Sequence, residues 1–259
     1  MPDAAASWSP APDLARRLAH TRFRDIRLFA GIDSTNRYLL AEAALGRAEG
    51  LVAVADEQSA GRGRLGRTWI AAPGAALLAS VLLRPDLPAE RRHLVTLAAA
   101  VAAADAVRAA GGFDARVKWP NDLVVDDRKL AGILAEADGM GAVIVGMGLN
   151  LRAGAFPPEL ADIATAVDRH APPVDRGDLL VAWLTALDGY LDALDGVVAA
   201  AAERSATLGR RVRVELAHEQ VHAIATRLTD EGYLVVTRDD GAEQIVTAGD
   251  VIHLRNAPA

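Results

Sequence analysis

The chain has 259 residues, enough for one large domain or one large and one small. Hydrophobic residues make up 51% but aromatics only 4%, so Ala, Val and Leu must fill the core, and a net charge of −6 argues against a nucleic-acid-binding surface over the whole molecule. The absence of cysteine excludes disulfides, thiolate metal sites and cysteine nucleophiles.

Residues 1–22 read as a flexible N-terminal segment, Ala- and Pro-rich to Pro12, with one or two helical turns at Leu14–His20. No basic region followed by an apolar run marks a signal peptide. The longest apolar stretch, Leu97–Ala110, is interrupted by Asp105 and Arg108, short of the roughly 20 uncharged residues a membrane span needs. A cytoplasmic protein with no membrane contact is expected. Arg27–Ala30 is a short strand. Asp33-Ser34-Thr35-Asn36 offers N-caps for a helix towards Leu45. Leu51–Ala55 and Ala75–Leu83 read as buried strands on either side of a glycine loop. Glu90–Ala110 is a long Ala-rich helix ended by Gly111-Gly112.

Arg116–Trp119 and Leu123–Val125 form two strands about the Pro120-Asn121-Asp122 turn, followed by strands at Leu130–Glu136 and Ala142–Gly146. Asp178 to about Thr207 has apolar residues at helical spacing and reads as one amphipathic helix. Beyond Leu208 the pattern becomes short alternating strands with a hairpin signal at Asp240-Gly241, which suggests a small antiparallel barrel. The expected organisation is therefore a segment 1–22, a main domain 23–207 and a small β domain 208–259.

Four motifs carry chemistry. Gly61-Arg62-Gly63-Arg64-Leu65-Gly66-Arg67-Thr68-Trp69 fits GxGxxG, but a dinucleotide turn opens a helix and this one leads to an apolar strand. Its three arginines are the better clue: guanidinium groups this close repel unless an anion lies among them, and their fork suits carboxylate or phosphate. The bland reading is a solvated basic turn. Lys118-Trp119-Pro120-Asn121-Asp122 packs a cation, an aromatic, a rigid turn, an amide and a carboxylate into five residues, or else is a strand-ending turn that caps itself. Lys129–Glu136 begins with a lysine and has Gly132 three residues on. Gly146-Met147-Gly148-Leu149-Asn150 reads as a turn ending a buried strand.

In this order the four motifs resemble the catalytic domain of the biotin–protein ligases, or biotin–[acetyl-CoA-carboxylase] ligases, from about residue 28 into the C-terminal barrel. The arginine–glycine loop, Lys-Trp-Pro-Asn-Asp block, Lys-Leu-Ala-Gly-Ile-Leu-x-Glu strand and Gly-x-Gly-x-Asn turn all match, as do Asp33–Asn36 and Gln58. The resemblance implies an α+β fold: a mixed central sheet flanked by helices, like a class II aminoacyl-tRNA synthetase, plus a small C-terminal Src-homology-3-like barrel. It implies a short form without an N-terminal DNA-binding domain, and hence no DNA binding.

It also implies two half-reactions. Biotin's carboxylate attacks the α-phosphate of ATP to give biotinyl-5′-AMP and pyrophosphate. A lysine of a biotin carboxyl carrier domain, from an acyl-CoA or pyruvate carboxylase, then displaces AMP. Arg64, Arg67, Lys118, Asp122 and Lys129 would be catalytic. Ser34, Thr35, Asn36, Gln58, Gly61, Arg62, Gly63, Lys129 and Gly132 would hold biotin. Arg64, Arg67, Trp69, Lys118, Asn121, Lys129 and Asn150 would hold ATP. Mg²⁺ would bridge the phosphates, and Asp122 would steer that metal or take the lysine proton. The arginine loop would act as a lid. A monomer or a homodimer is compatible with the sequence.

The alternatives are a lipoate or octanoate ligase of the same superfamily, a module that binds without catalysis, and a zinc protease. The last rests on His218-Glu219-Gln220-Val221-His222, which fits HExxH but joins two strand segments, where the histidines would not converge as on a helix.

Overall fold

The structure, a computed structural model, describes residues 11–216, 219–247 and 249–253. The larger part is built on seven strands: β1 (Asp25–Phe29), β2 (Leu51–Ala55), β3 (Ala76–Leu83), β4 (Arg116–Lys118), β5 (Asp122–Val125), β6 (Arg128–Ala137) and β7 (Val143–Asn150). They lie in the order β1-β2-β3-β7-β6-β5-β4. β1 and β2 pair in parallel across α2 (Thr35–Ala44); every other pairing is antiparallel. This is the mixed sheet expected.

Helices cover both faces, so β2 and β3 are buried at every position. On one face lie α1 (Ala11–Arg17), α3 (Leu94–Gly111), α4 (Arg176–Asp192) and α5 (Val197–Glu203). Alanine along α3 lets α4 approach closely enough for Trp183 Nε1 to donate to the Ala99 carbonyl at 3.1 Å. Gly112 caps α3 at φ +72°, its N–H bonded to Arg108 O, as glycine permits. By length and hydropathy α3 would suffice to cross a membrane, but 67% of it is buried and it is the core helix of the domain. On the opposite face α2 covers only one end of the sheet, packing Leu39 and Ala43 near Ala53, Leu82 and Ile144. The rest of that face is left for the site.

Three expected elements change, and the described part of the segment expected to be flexible is instead α1, whose Leu14 lies with Leu18 in the core. α3 begins at Leu94, with a separate 3₁₀ turn at Ala89–Arg91. The single helix expected from Asp178 to about Thr207 is α4 and α5, broken at Ala193 (φ −129°, ψ 47°). The bend lets the following chain pair with β4, where Val117 N donates to Arg204 O (2.9 Å) and Ala206 N to Val117 O (2.8 Å). Thirdly, Gly146–Asn150 is not a turn but the second half of β7, hydrogen-bonded to both β3 and β6.

The small domain has β8 (Arg211–Glu215), β9 (Gln220–Leu228), β10 (Leu234–Thr237), β11 (Glu243–Val246) and β12 (Asp250–His253), all antiparallel in the order β11-β10-β9-β8-β12. Alternation turns Val212, Val214, Val221, Ala223 and Ala225 inward. Trp119 of the large domain completes that core.

Candidate active site

One register row crosses the sheet: Leu78 of β3, Gly148 of β7, Gly132 of β6, Asp122 of β5 and Lys118 of β4. Residues directly opposite share a face, so two glycines lie side by side with a carboxylate and a lysine at the end of the row. The neighbouring row holds Ser80, Gly146 and Leu134. The glycines make a floor onto which other groups settle. A Cβ on Gly148 would fall 2.4 Å from Trp69 Cε2, and one on Gly146 would fall 2.2 Å from Asn36 Oδ1. The glycine pair therefore serves close packing within a strand rather than a turn.

Lys129 reaches this floor through a bulge. Strict alternation would place it with Ala131 and Ile133, which face the core. The register slips after Leu123, which pairs with Ala131 while Val124 pairs with Lys129, and the side chain is re-aimed. Its ammonium lies 2.8 Å from Asp122 Oδ1 and 5.7 Å from the centre of the Trp69 ring. A Cβ on Gly132 would fall 3.2 Å from that ammonium.

Above the floor is an open cleft. One end is polar and without net charge, Arg62 there being paired with Glu136. Ser34 caps α2, and Thr35 N and Oγ1 both donate to Gln58 Oε1 at 2.7 and 3.0 Å. Ser80 Oγ lies 2.7 Å from Thr35 Oγ1 and 2.6 Å from Asn36 Oδ1. An Ile32–Gln58 bridge, continuing the β1–β2 pairing, brings Gln58 there. The other end is cationic, with Arg64, Arg67 and Lys129 beside Asn121 and Asp122.

Residues 61–69 fold back as a hairpin over the cleft: Gly63 N donates to Arg67 O at 2.7 Å and Trp69 N to Gly61 O at 3.0 Å. The arginines do not surround a vacant anion seat. Arg62 pairs with Glu136 at 2.9 Å, Arg64 donates to Asn121 Oδ1 at 3.0 Å, and Arg67 pairs with Asp250 of β12. Glu136 in turn accepts from Asn36 Nδ2 at 2.9 Å, tying the hairpin to α2. Trp69 Nε1 is buried without a hydrogen-bond partner.

Of the residues expected from the sequence, Ser34, Thr35, Asn36, Gln58, Arg62, Gly63, Arg64, Arg67, Trp69, Asn121, Asp122, Lys129 and Gly132 line the cleft. Three do not. Gly61 is a backbone position pressed against the Trp69 carbonyl, where a Cβ would fall at 2.3 Å. Asn150 is buried and donates to Lys129 O and Thr165 O, bracing the strand that carries Lys129. Lys118 ends the register row outside the lining. Burial chiefly, and then Lys129, push its pKa down, while Asp122 opposes the shift. Lining residues outside the expected set are Thr68, Ser80, Ile133, Leu134, Gly146, Met147, Gly148 and Asp250. The Gly-x-Gly spacing was a usable signal for two of them.

Among the described residues no group of three His, Asp or Glu could hold a metal ion. Asp122 alone provides no preformed cage, and its near partner is an ammonium. Of the HExxH pentapeptide, His218 lies outside the described residues, whereas His222 is an exposed strand position paired with Arg213. Gln220–His222 is extended, so the helical geometry of a zinc protease does not form there.

Residues 28–150 match the model of the biotin/lipoate A/B protein ligase family, and 207–254 that of the biotin protein ligase C-terminal domain. The chain is 38% identical over 248 residues to the biotin–[acetyl-CoA-carboxylase] ligase of Mycobacterium tuberculosis, covering 92% of each. The chain belongs to the biotin protein ligase family. It is also 32% identical to the bifunctional ligase/repressor BirA of Bacillus spizizenii over 77% of this chain, and spans 65% of that longer protein. In fold it is similar to a biotin protein ligase from Aquifex aeolicus solved with biotin and ATP, at TM-score 0.80 and 24% identity, covering 90% of this chain and all of that one. The ligase fold thus accounts for both the mixed sheet and the small antiparallel domain.

Proposed function

We propose that this chain is an ATP-dependent biotin–protein ligase that makes biotinyl-5′-AMP and passes the biotinyl group to a lysine of a biotin carboxyl carrier domain. The observation that carries the reading is the division of one cleft into a neutral polar end and a cationic end, with glycines as its floor. That division suits a ligand with a neutral polar head and an anionic reacting end. Ser34, Thr35 and Gln58 supply donors and acceptors to the ureido ring, with Gly132 beside it and the Arg62–Gly63 backbone above. Lys129, Arg64 and Arg67 draw the carboxylate and the triphosphate together, which permits two anions to meet. Preorganised charge of this kind is commonly the largest catalytic contribution.

In the first step a biotin carboxylate oxygen bonds to the α-phosphorus and the bond to pyrophosphate breaks. Mg²⁺, entering with the triphosphate, would neutralise phosphate charge, and Asp122 is the carboxylate placed to meet it. In the second step the lysine nitrogen bonds to the acyl carbon, AMP leaves, and the lysine proton needs an acceptor. Asp122 fits that role: its Oδ1 is buried and lacks a hydrogen bond of good geometry although Lys129 Nζ is 2.8 Å away. Trp69 stacks on the adenine, and Asn121 serves the nucleotide.

Biotin-dependent exchange of pyrophosphate into ATP tests the reading. Exchange with biotin and none with lipoate is expected; exchange with lipoate alone would assign the chain to the other branch of its family. Tight biotin binding without any exchange would identify a binding module.

A further inference from the structure

The hairpin over the cleft is held in an unusual way. Its tip, Arg64–Gly66, buries no apolar side chain: Leu65 is 72% exposed and sits at φ +54°, with Gly66 at φ +73°. Local packing therefore does not set where Arg64 and Arg67 point. What fixes them is a set of acceptors from distant parts of the chain, and two of these belong to the small domain. Asp250, the first residue of β12, pairs with Arg67, and its other carboxylate oxygen lies 3.9 Å from Arg64 Nη1. The preceding carbonyl, Gly249 O, accepts from Arg64 Nη2 at 3.4 Å. The Asp250 side chain is only 16% exposed and lines the cleft, so its charge is less screened than that of a surface pair.

We propose that Asp250 is a positioning residue of the ligase site: a carboxylate from the small domain that latches the arginine hairpin across the cleft. The proposal rests on the ligase reading in one respect, that the same two arginines later hold phosphate. Asp250 acts as the counter-ion of Arg64 and Arg67. It keeps both guanidinium groups at the cationic end of the cleft, offsets their mutual repulsion, and makes closure of the hairpin depend on the small domain. With Asp250 neutralised, the arginines keep Asn121 and Glu136 as side-chain partners, and neither touches Arg67.

The test compares the full-length protein with Asp250→Asn, which keeps shape but not charge, and Asp250→Glu, which keeps charge. The first readout is trypsin cleavage after Arg64 and Arg67 in the ligand-free protein, which reports local opening. Asp250→Asn should be cut at least about fivefold faster than wild type, and Asp250→Glu should stay within about twofold, both with unchanged melting temperature. The second is biotin-dependent pyrophosphate exchange, in which Asp250→Asn should raise the KM for ATP about tenfold and change kcat far less, because arginine placement is lost and not the reacting groups. Equal cleavage in all three proteins overturns the proposal. So does a lowered melting temperature accompanied by faster cutting in both variants, which would mean a purely structural role. If wild type shows no exchange, the ligase reading fails, and the cleavage comparison still decides whether Asp250 is a latch.

Discussion

The two motif segments that flank the cleft, residues 61–69 and 118–122, are held by opposite means. In 118–122 the anchors are short and buried. Trp119 N donates to Thr207 Oγ1 and its Nε1 to Gly232 O, both at 3.1 Å, and Asn121 Nδ2 donates to Ile133 O at 2.8 Å. In 61–69 the backbone closes on itself, Trp69 rests on the glycine floor, and the arginines at the tip are tethered at the surface to Glu136, Asn121 and Asp250. Buried hydrogen bonds with an aromatic peg cost several kcal/mol to break, whereas half-exposed ion pairs are weak and exchangeable. One wall of the site is a fixed scaffold for charge, and the other is a flap whose closed state competes with solvent and with ligand anions.

The contrast breaks most clearly at Trp119. Trp119→Ala should cost about 3–5 kcal/mol, because the indole fills the core of the small domain from the large one. Urea unfolding followed by circular dichroism measures this, and the small domain should melt first. An unchanged midpoint would mean the peg does not join the domains. Next is Lys129→Ala, which removes the cation that a bulge delivers to the floor. Pyrophosphate exchange should fall at least about 100-fold, the usual effect of losing one preorganised donor. Near-normal exchange would remove Lys129 from the chemistry. Stability should change little, because this ammonium is partly exposed.

These two residues also mark how far the sequence can be read. The types needed for anion chemistry, their order, the Ser34 cap and the Gly112 stop depend on local spacing and are visible in the chain. Where they point depends on long-range pairing. Trp119 sits among site residues in sequence, yet faces the small domain, where its backbone N–H and its Nε1 are tied to Thr207 and Gly232. Lys129 has core-facing parity and reaches the cleft through a slip of one residue that no alternation pattern announces. Gly146 and Gly148 look like a turn because glycine favours turns; only pairing with β3 and β6 makes them a floor. Asp250 enters from another domain, 183 residues from its partner Arg67, beyond any spacing rule.

The glycine floor gives a smaller, sharper contrast. Gly148→Ala places a methyl 2.4 Å from a ring atom of Trp69, and the indole has no flexible end to give way. Overpacking of this kind costs about 1–3 kcal/mol. Gly132→Ala meets Lys129 Nζ and the rim of Trp69 at 3.2 Å, which small shifts relieve. Tryptophan fluorescence should therefore change in Gly148→Ala more than in Gly132→Ala, with KM for biotin following the same order. The reverse order would put the tight approach at Gly132.

The least effect is expected where the two domains meet away from the cleft, and its sign is fixed by two shifted groups. Arg210 hydrogen-bonds Asp127 and holds its pKa down to about 2, from an ordinary 3.8. The unfolded chain thus takes up that proton first as pH falls. The contribution is complete above pH 3.8 and is lost on the way down to about 2. His253, which contacts the same carboxylate, is pushed below 6.5 by burial first and then by Lys118 and Arg210, so it takes up its proton at lower pH in the folded than in the unfolded chain. Its contribution is complete above pH 6.5 and begins to fall below it. Both groups weaken the interface in acid and neither does so in mild alkali. Urea midpoints measured from pH 8 to pH 3 should decline in two stages, first below 6.5 and again below 3.8. Asp127→Asn should remove the second stage, since no carboxylate remains to protonate. If that variant declines as steeply as wild type below pH 3.8, other carboxylates dominate acid unfolding and the Arg210–Asp127 pair is a spectator.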